Sequence, residues 1–180
     1  MSSITSIGVT GARFVRRRML TPSIFHLDFV ADSQPLTLDF QPGQWADVFF
    51  PDIEQVGGFS FTSKPEDLPN FSLAVKDSIT SPPAKWLARD AEVPARILLR
   101  PGGNVFWEGD PDRNLLCIAG GIGITPLFSI LEAFAARRSK GKVALIYSSP
   151  VKDEMAYAAE LEDLEQAMSG VFKFLPVFTR

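Results

Sequence analysis

The sequence predicts an antiparallel β barrel over residues 1–110, followed by an α/β unit with a parallel sheet over residues 111–180. Three observations carry that expectation. The first part breaks into short runs of alternating or β-branched residues separated by Gly and Pro turns, the grammar of an antiparallel barrel or sandwich. Beyond about residue 113 the apolar runs become continuous and alternate with helical periodicity, which implies a parallel sheet with right-handed crossovers. Between the two, Gly109-Asp110-Pro111-Asp112 marks a boundary.

The elements follow in order. From about Val9 to Val30 the chain alternates as strands; IFHLDF puts Ile24, His26 and Asp28 on one side and Phe25, Leu27 and Phe29 on the other. That pattern makes His26 a surface strand residue and the run Arg16-Arg17-Arg18 a solvated strand end. Gln41-Pro42-Gly43-Gln44 is a turn, and the strands WADVFF, FSFTS and FSLAVK come after it. SPPAKWLARD reads as one short helix, with proline in its first turn. ARILLR is a strand closed by the PGGN turn.

LLCIA then reads as a strand buried on both faces, with Cys117 as a structural thiol. A helix is expected over Thr125–Arg138, its apolar face set by Leu127, Ile130, Leu131 and Phe134, with Thr125 as cap and Pro126 at the first helical position. VALIYS is a second buried strand. Asp153 and Glu154 open a second helix, where acidic groups suit the positive end of the helix dipole, and Ser169-Gly170 ends it. FKFLPVF is the third strand.

Composition narrows the function. The chain is 46% hydrophobic and 22% charged, ordinary for a globular protein. Eighteen basic residues against twenty-one acidic ones leave a net charge of −3, which gives nucleic acid no clustered basic surface. A single cysteine excludes an internal disulfide and fits a reducing compartment. Leu115–Leu131 is uncharged and near the lower length limit for a membrane span. Its glycines and Pro126 would break such a helix, so a strand, a glycine turn and a helix start are expected instead, and no membrane partner. The N-terminus is poor in acids until Asp28, as in a transit peptide, but strand alternation begins early. An intracellular, soluble protein is expected, cytoplasmic or mitochondrial.

AGGIGITP carries the chemistry. It leaves a strand and opens a helix. Glycines let a ligand approach the backbone, and free N–H groups at a helix start attract phosphate. Open α/β sheets bind ligands at such carboxyl ends of their strands. The spacing differs from G-x-G-x-x-G, and a purely structural tight turn is the competing reading.

The order PGQ, aromatic-Ser-x-x-Ser strand, strand, GGIGITP and helix resembles the ferredoxin–NADP reductase superfamily over nearly the whole chain. LIYSSPVKDEMAYAAELEDL is similar to the second strand and helix of that family's pyridine-nucleotide domain. Within the superfamily the likeness is greatest to the oxidoreductase NAD-binding domain-containing proteins, whose variant also reads VGGFS and PPAxW. The resemblance implies an NAD(P)H-dependent flavin oxidoreductase: a flavin-reductase-like barrel, an α/β domain apparently incomplete at its C-terminal side, NAD(P)H and FAD or FMN as cofactors, no metal, and an electron acceptor, a protein among the candidates. It places Phe59 on the flavin ring and Ser60 at the flavin edge. Ser63 closes the motif, and backbone around Val75 and Lys76 completes the flavin side. The nucleotide would cross Gly120, Gly121, Gly123, Thr125 and Pro126, with Thr179 and Arg180 near the adenosine ribose or its phosphate.

Two motifs depart from the family pattern. The arginine expected on the flavin phosphate is Gly57, and the tyrosine is Phe59, which keeps a stacking face without the hydroxyl. In the second motif Ser81 replaces a glycine, Ala84 a hydroxyl residue, and Pro82 and Pro83 remove two backbone donors. Lys64, Lys76 or Lys85 could restore the charge; each is otherwise a surface lysine. Trp45, Trp86 and Trp107 read as packing residues. A nucleotide-binding or regulatory module that has lost flavin is therefore the second reading. An interaction domain pairing through an exposed third strand is the weakest.

Overall fold

A computed structural model describes residues 8–32, 38–110, 112–137 and 140–180. Six strands form one antiparallel sheet: β1 (Thr10–Met19), β2 (Ile24–Ala31), β3 (Trp45–Phe50), β4 (Gln55–Ser60), β5 (Asn70–Lys76) and β6 (Ala95–Gly102), in the order β4-β3-β6-β1-β2-β5. The sheet curls until its edge strands meet at the Phe61–Leu73 bridge. Aromatic side chains fill the inside. Phe40 stacks on Phe61 at 3.9 Å between ring centres and Phe29 on Phe71 at 5.2 Å, an offset-stacked arrangement that adds to their area burial.

The SPPAKWLARD segment forms α1 (Pro82–Lys85) and then widens into a single π turn, Trp86–Asp90. Arg17 explains how that irregular end is held: Nε donates to Leu87 O at 2.7 Å and a terminal nitrogen to Ala91 O at 2.9 Å. A guanidinium satisfies carbonyls that a helix end leaves without partners. Arg18 reaches Glu160 at 3.0 Å. The basic run is thus two-thirds structural, which corrects the solvated strand end expected for it.

The second sheet is parallel: β7 (Leu115–Gly120), β8 (Val143–Ser149) and β9 (Phe172–Phe178), in that order. Helices α2 (Ile124–Ala136) and α3 (Ala158–Ala167) connect them. Cys117, Leu145 and Phe174 share one cluster with Phe134 of α2 and Leu161 of α3, so both helices cover the same face. On the other face Leu116 is 67% and Ile118 68% exposed. The expectation that LLCIA is buried on both faces therefore fails among the described residues: its hydrophobicity is continuous, but only alternate residues are covered.

Two helix starts also differ. α2 begins at Ile124, after a 3-10 turn over Gly121–Gly123, so Thr125 lies inside the helix and does not cap it. α3 begins at Ala158; Asp153 and Glu154 sit in a separate 3-10 turn, and Tyr157 between them has φ 61°. Arg138 and Pro111 lie outside the described residues.

The two sheets are joined by polar contacts at chosen points. Ser129 Oγ of α2 donates to Ser63 O at 2.6 Å, Ser23 Oγ donates to Glu154 Oε2 at 2.7 Å, and His26 Nδ1 lies 2.9 Å from Tyr157 Oη. His26 is half-buried at that junction, so the surface role expected for it is replaced by an interface role. Gly43 has φ +95° and lies where an added Cβ would meet Ile130 Cδ1 of α2 at 2.8 Å; the turn needs glycine for both reasons. Trp86 and Trp107 are buried as expected, while Trp45 is 38% exposed. No helix among the described residues is long and apolar enough to cross a membrane.

Candidate functional site: a cleft between the two sheets

A cleft of about 400 Å³ opens where the curled sheet faces the glycine turn. The end of β4 brings Phe59 and Ser60 to it, and the end of β5 brings Val75 and Lys76. The opposite wall is Ile122, Gly123, Thr125 and Pro126. Thus seven of the sequence-predicted residues from two separate sheets line one space. Antiparallel pairing sets the first wall: β4 runs against β3, with Phe59 opposite Ala46 and Ser60 opposite Trp45.

The side chains have distinct duties. Val75 is buried in the barrel core, so it offers the cleft its backbone. Lys76 is exposed and is, among the described residues, the one charged side chain lining the cleft. The Ser60 hydroxyl makes no hydrogen bond to another described residue, which leaves it available to a ligand. Thr125 is 5% exposed, and its hydroxyl donates to Ile122 O at 3.0 Å, holding the turn closed onto the helix. Tyr147 Oη on β8 donates to Gly121 O at 3.0 Å and accepts from Ala156 N at 3.2 Å. Burial pushes that phenol up to about 12, so it stays protonated and keeps donating at neutral pH.

Five predicted residues lie outside the cleft lining. Ser63 is turned away: its Oγ accepts from Ser72 N at 3.0 Å and its carbonyl from Ser129. Gly120 and Gly121 stand next to the cleft, at the end of β7. Thr179 and Arg180 follow β9, their N–H groups bonded to Ser149 O and Pro150 O at 3.1 Å each. They therefore sit at the carboxyl ends of the parallel strands, the same end as the glycine turn. Ser78 and Gly58 line the cleft although sequence reading passed over them; the Ser78–Ser81 loop between β5 and α1 was the available signal. A larger depression, about 590 Å³, lies at the amino ends of the parallel strands by Asn114, Lys142 and Gly170, the end at which open α/β sheets do not hold ligands.

Phe59 and Gly57 fit together as one unit. A Cβ on Gly57 would lie 2.6 Å from Cε2 and 2.9 Å from Cζ of Phe59, and 3.0 Å from Cβ of Pro83. The Phe59 ring therefore rests over the Gly57 backbone. Its position is fixed by an edge-to-face contact with Phe50, ring centres 6.0 Å apart at 84°. The ring is half-buried and lines the cleft, so it forms a flat apolar platform there.

Residues 117–180 match the oxidoreductase NAD-binding domain model. The chain is 37% identical over 161 residues to oxidoreductase NAD-binding domain-containing protein 1 of Bos taurus, an alignment covering 80% of this chain and 51% of that protein. The chain spans about half the length of the curated relatives it matches. Among solved structures, ferredoxin–NADP+ reductase from Plasmodium falciparum superposes with a TM-score of 0.80 at 21% identity, over 93% of this chain and 69% of that one. A flavohemoglobin from Malassezia yamatoensis with bound FAD and heme gives 0.79 at 24%, over 96% and 50%. The solved structures show a likeness of fold, that of the ferredoxin–NADP reductases, and in sequence this chain is similar to the oxidoreductase NAD-binding domain-containing proteins, with an oxidoreductase NAD-binding domain over residues 117–180.

Proposed function

We propose that this chain is the core of an NAD(P)H-dependent flavin oxidoreductase, with a barrel domain over residues 1–110 and a nucleotide domain over residues 111–180. One observation carries the reading: the cleft is walled by Phe59 and Ser60 on one side and by Gly123, Thr125 and Pro126 on the other. Hydride transfer requires two cofactors held face to face with water excluded. A cleft built half from each sheet supplies that geometry.

The residues present fit a flavin ring. Phe59 offers a flat face, Ser60 a hydroxyl with no partner among the described residues, and the β5 end a line of backbone groups. When bound there, a flavin would supply the hydride-accepting and electron-passing chemistry. The protein's part is placement. Phe59 fixes the plane of the ring and Ser60 hydrogen-bonds its edge. Gly123 lets a dinucleotide approach the turn, and Thr125 keeps that turn in register through Ile122 O. Thr179 and Arg180 would meet the far end of the dinucleotide. The electron acceptor is a separate redox partner.

The test is spectroscopic. Purified protein mixed with FMN or FAD and then with NADH or NADPH under anaerobic conditions should lose the flavin band near ~450 nm at a rate set by protein concentration. Nicotinamide binding without any flavin reduction would favour the second reading, a nucleotide-binding module without flavin, which the absence of arginine at position 57 supports.

A further inference from the structure

We infer that this cleft grips flavin by its ring and sugar chain alone, with no phosphate seat, so that flavin exchanges with solution instead of staying resident. The inference rests on the flavin reading above and deepens it. Three independent features remove the phosphate grip.

The first is steric. The space that a side chain at position 57 would enter is filled by the Phe59 ring and by Pro83. A cation on this strand has no path to the ligand while the ring lies there. The second is the start of α1. Pro82 and Pro83 carry no N–H. The next donor, Ala84 N, is already taken by Ser81 Oγ at 3.4 Å, and Lys85 N by Ser81 O at 2.9 Å. The third is charge. Lys64 pairs with Asp67 at 2.7 Å, Arg89 with Asp77 at 2.6 Å through Nε, and Lys85 lies 3.9 Å from Asp90. Among the described residues only Lys76 remains as a cation in the cleft lining, exposed on a flexible stem. A solvated lysine is a screened point charge and does not reproduce the bidentate fork of an arginine.

What remains is the platform. Ring stacking on Phe59 and hydrogen bonds to the ring edge serve riboflavin, FMN and FAD alike. An exposed ion pair is worth at most about 5-fold in affinity, whereas one charge-assisted, desolvated phosphate contact is worth about 100-fold.

The experiment is a fluorescence titration of the whole chain with riboflavin, FMN and FAD at low and moderate salt, repeated on Lys76→Met. All three flavins should bind within about 5-fold of one another. Desalting should strip them, and Lys76→Met should bring FMN to the riboflavin value. FMN or FAD binding about 50-fold or more tighter than riboflavin would overturn the inference while leaving the flavin function standing. A collapse of such a preference in Lys76→Met would name the seat that had been overlooked. Binding of none of the three by folded protein would overturn both this inference and the flavin function.

Discussion

The imidazole of His26 on β2 meets the phenol of Tyr157, just ahead of α3, with 2.9 Å between Nδ1 and Oη. The other ring nitrogen lies 3.0 Å from Asp28 Oδ1. Asp28 accepts, so Nε2 carries the proton and Nδ1 accepts from the tyrosine. Tyr157 is fully buried, stacks on Phe128 at 4.1 Å, and holds a left-handed backbone. This one contact joins the antiparallel sheet to both helices of the parallel one.

His26 should make stability fall on mild acidification. Burial, ahead of the opposing pull of Asp28 and the added repulsion of Arg18, lowers its pKa below the ordinary 6.5. Glu160 also faces it and favours the charged form. The unfolded chain therefore binds the proton first, and the stability held above pH 6.5 is lost as pH falls from there towards the lowered folded value. Thermal melts between pH 5.5 and 7.5 should show this slope, and His26→Gln should flatten it. An identical slope in both proteins would refute the account.

Removing the hydroxyl from Tyr157 separates the hydrogen bond from the packing. Tyr157→Phe keeps the stack on Phe128 and should cost about 1 kcal/mol in chemical denaturation. Tyr157→Ala should cost about 3–5 kcal/mol, because a buried aromatic is lost. Equal costs for the two would show that the contact with His26 dominates.

Gly57 and Phe59 should behave as a coupled pair. Gly57→Ala forces a Cβ to 2.6 Å from the Phe59 ring, and overpacking of that kind costs about 1–3 kcal/mol. In the Phe59→Ala background the same change should cost much less. A double-mutant cycle by urea unfolding reads the coupling directly; additive energies would contradict the packing described.

Arg17→Met should destabilise by about 1–3 kcal/mol, since the carbonyls of Leu87 and Ala91 lose charged donors at 2.7 and 2.9 Å. Arg16→Met next to it, on an exposed side chain, should stay within about 0.5 kcal/mol. Equal effects in a denaturation series would argue against the helix-end role.

Cys117 should resist alkylation in the folded protein. Burial alone pushes its thiol up to about 11, and the thiolate is the reactive form. Mass spectrometry after iodoacetamide at pH 7.5 should show modification only in denaturant. Rapid labelling of native protein would mean that β7 opens.

Much of this protein was legible in residue order. Proline and glycine turns separated the short strands, helical spacing placed α2 and α3, and the glycine turn with its FSFTS partner pointed to both walls of the cleft. What misled was local as well. Continuous hydrophobicity in LLCIA looked the same whether one face or two was covered, because periodicity records what a strand can bury, and neighbours decide what it does bury. Thr125 looked like a cap because its type and its following proline suit one; the 3-10 turn over Gly121–Gly123 drew the helix start two residues towards the N-terminus and spent the hydroxyl on Ile122 O.

By itself, then, the sequence determined the two classes of sheet, their order, and the residue types that line the two walls of the cleft. Those depend on near neighbours, whose turn chemistry and spacing are written in the chain. Only the tertiary structure decided that Ser63 faces away from the cleft, that His26 and Arg17 are structural, and that the Phe59 ring closes the space over Gly57. Each is a contact between groups distant in sequence or a choice among side-chain directions, and such choices are settled by which surface packs against which.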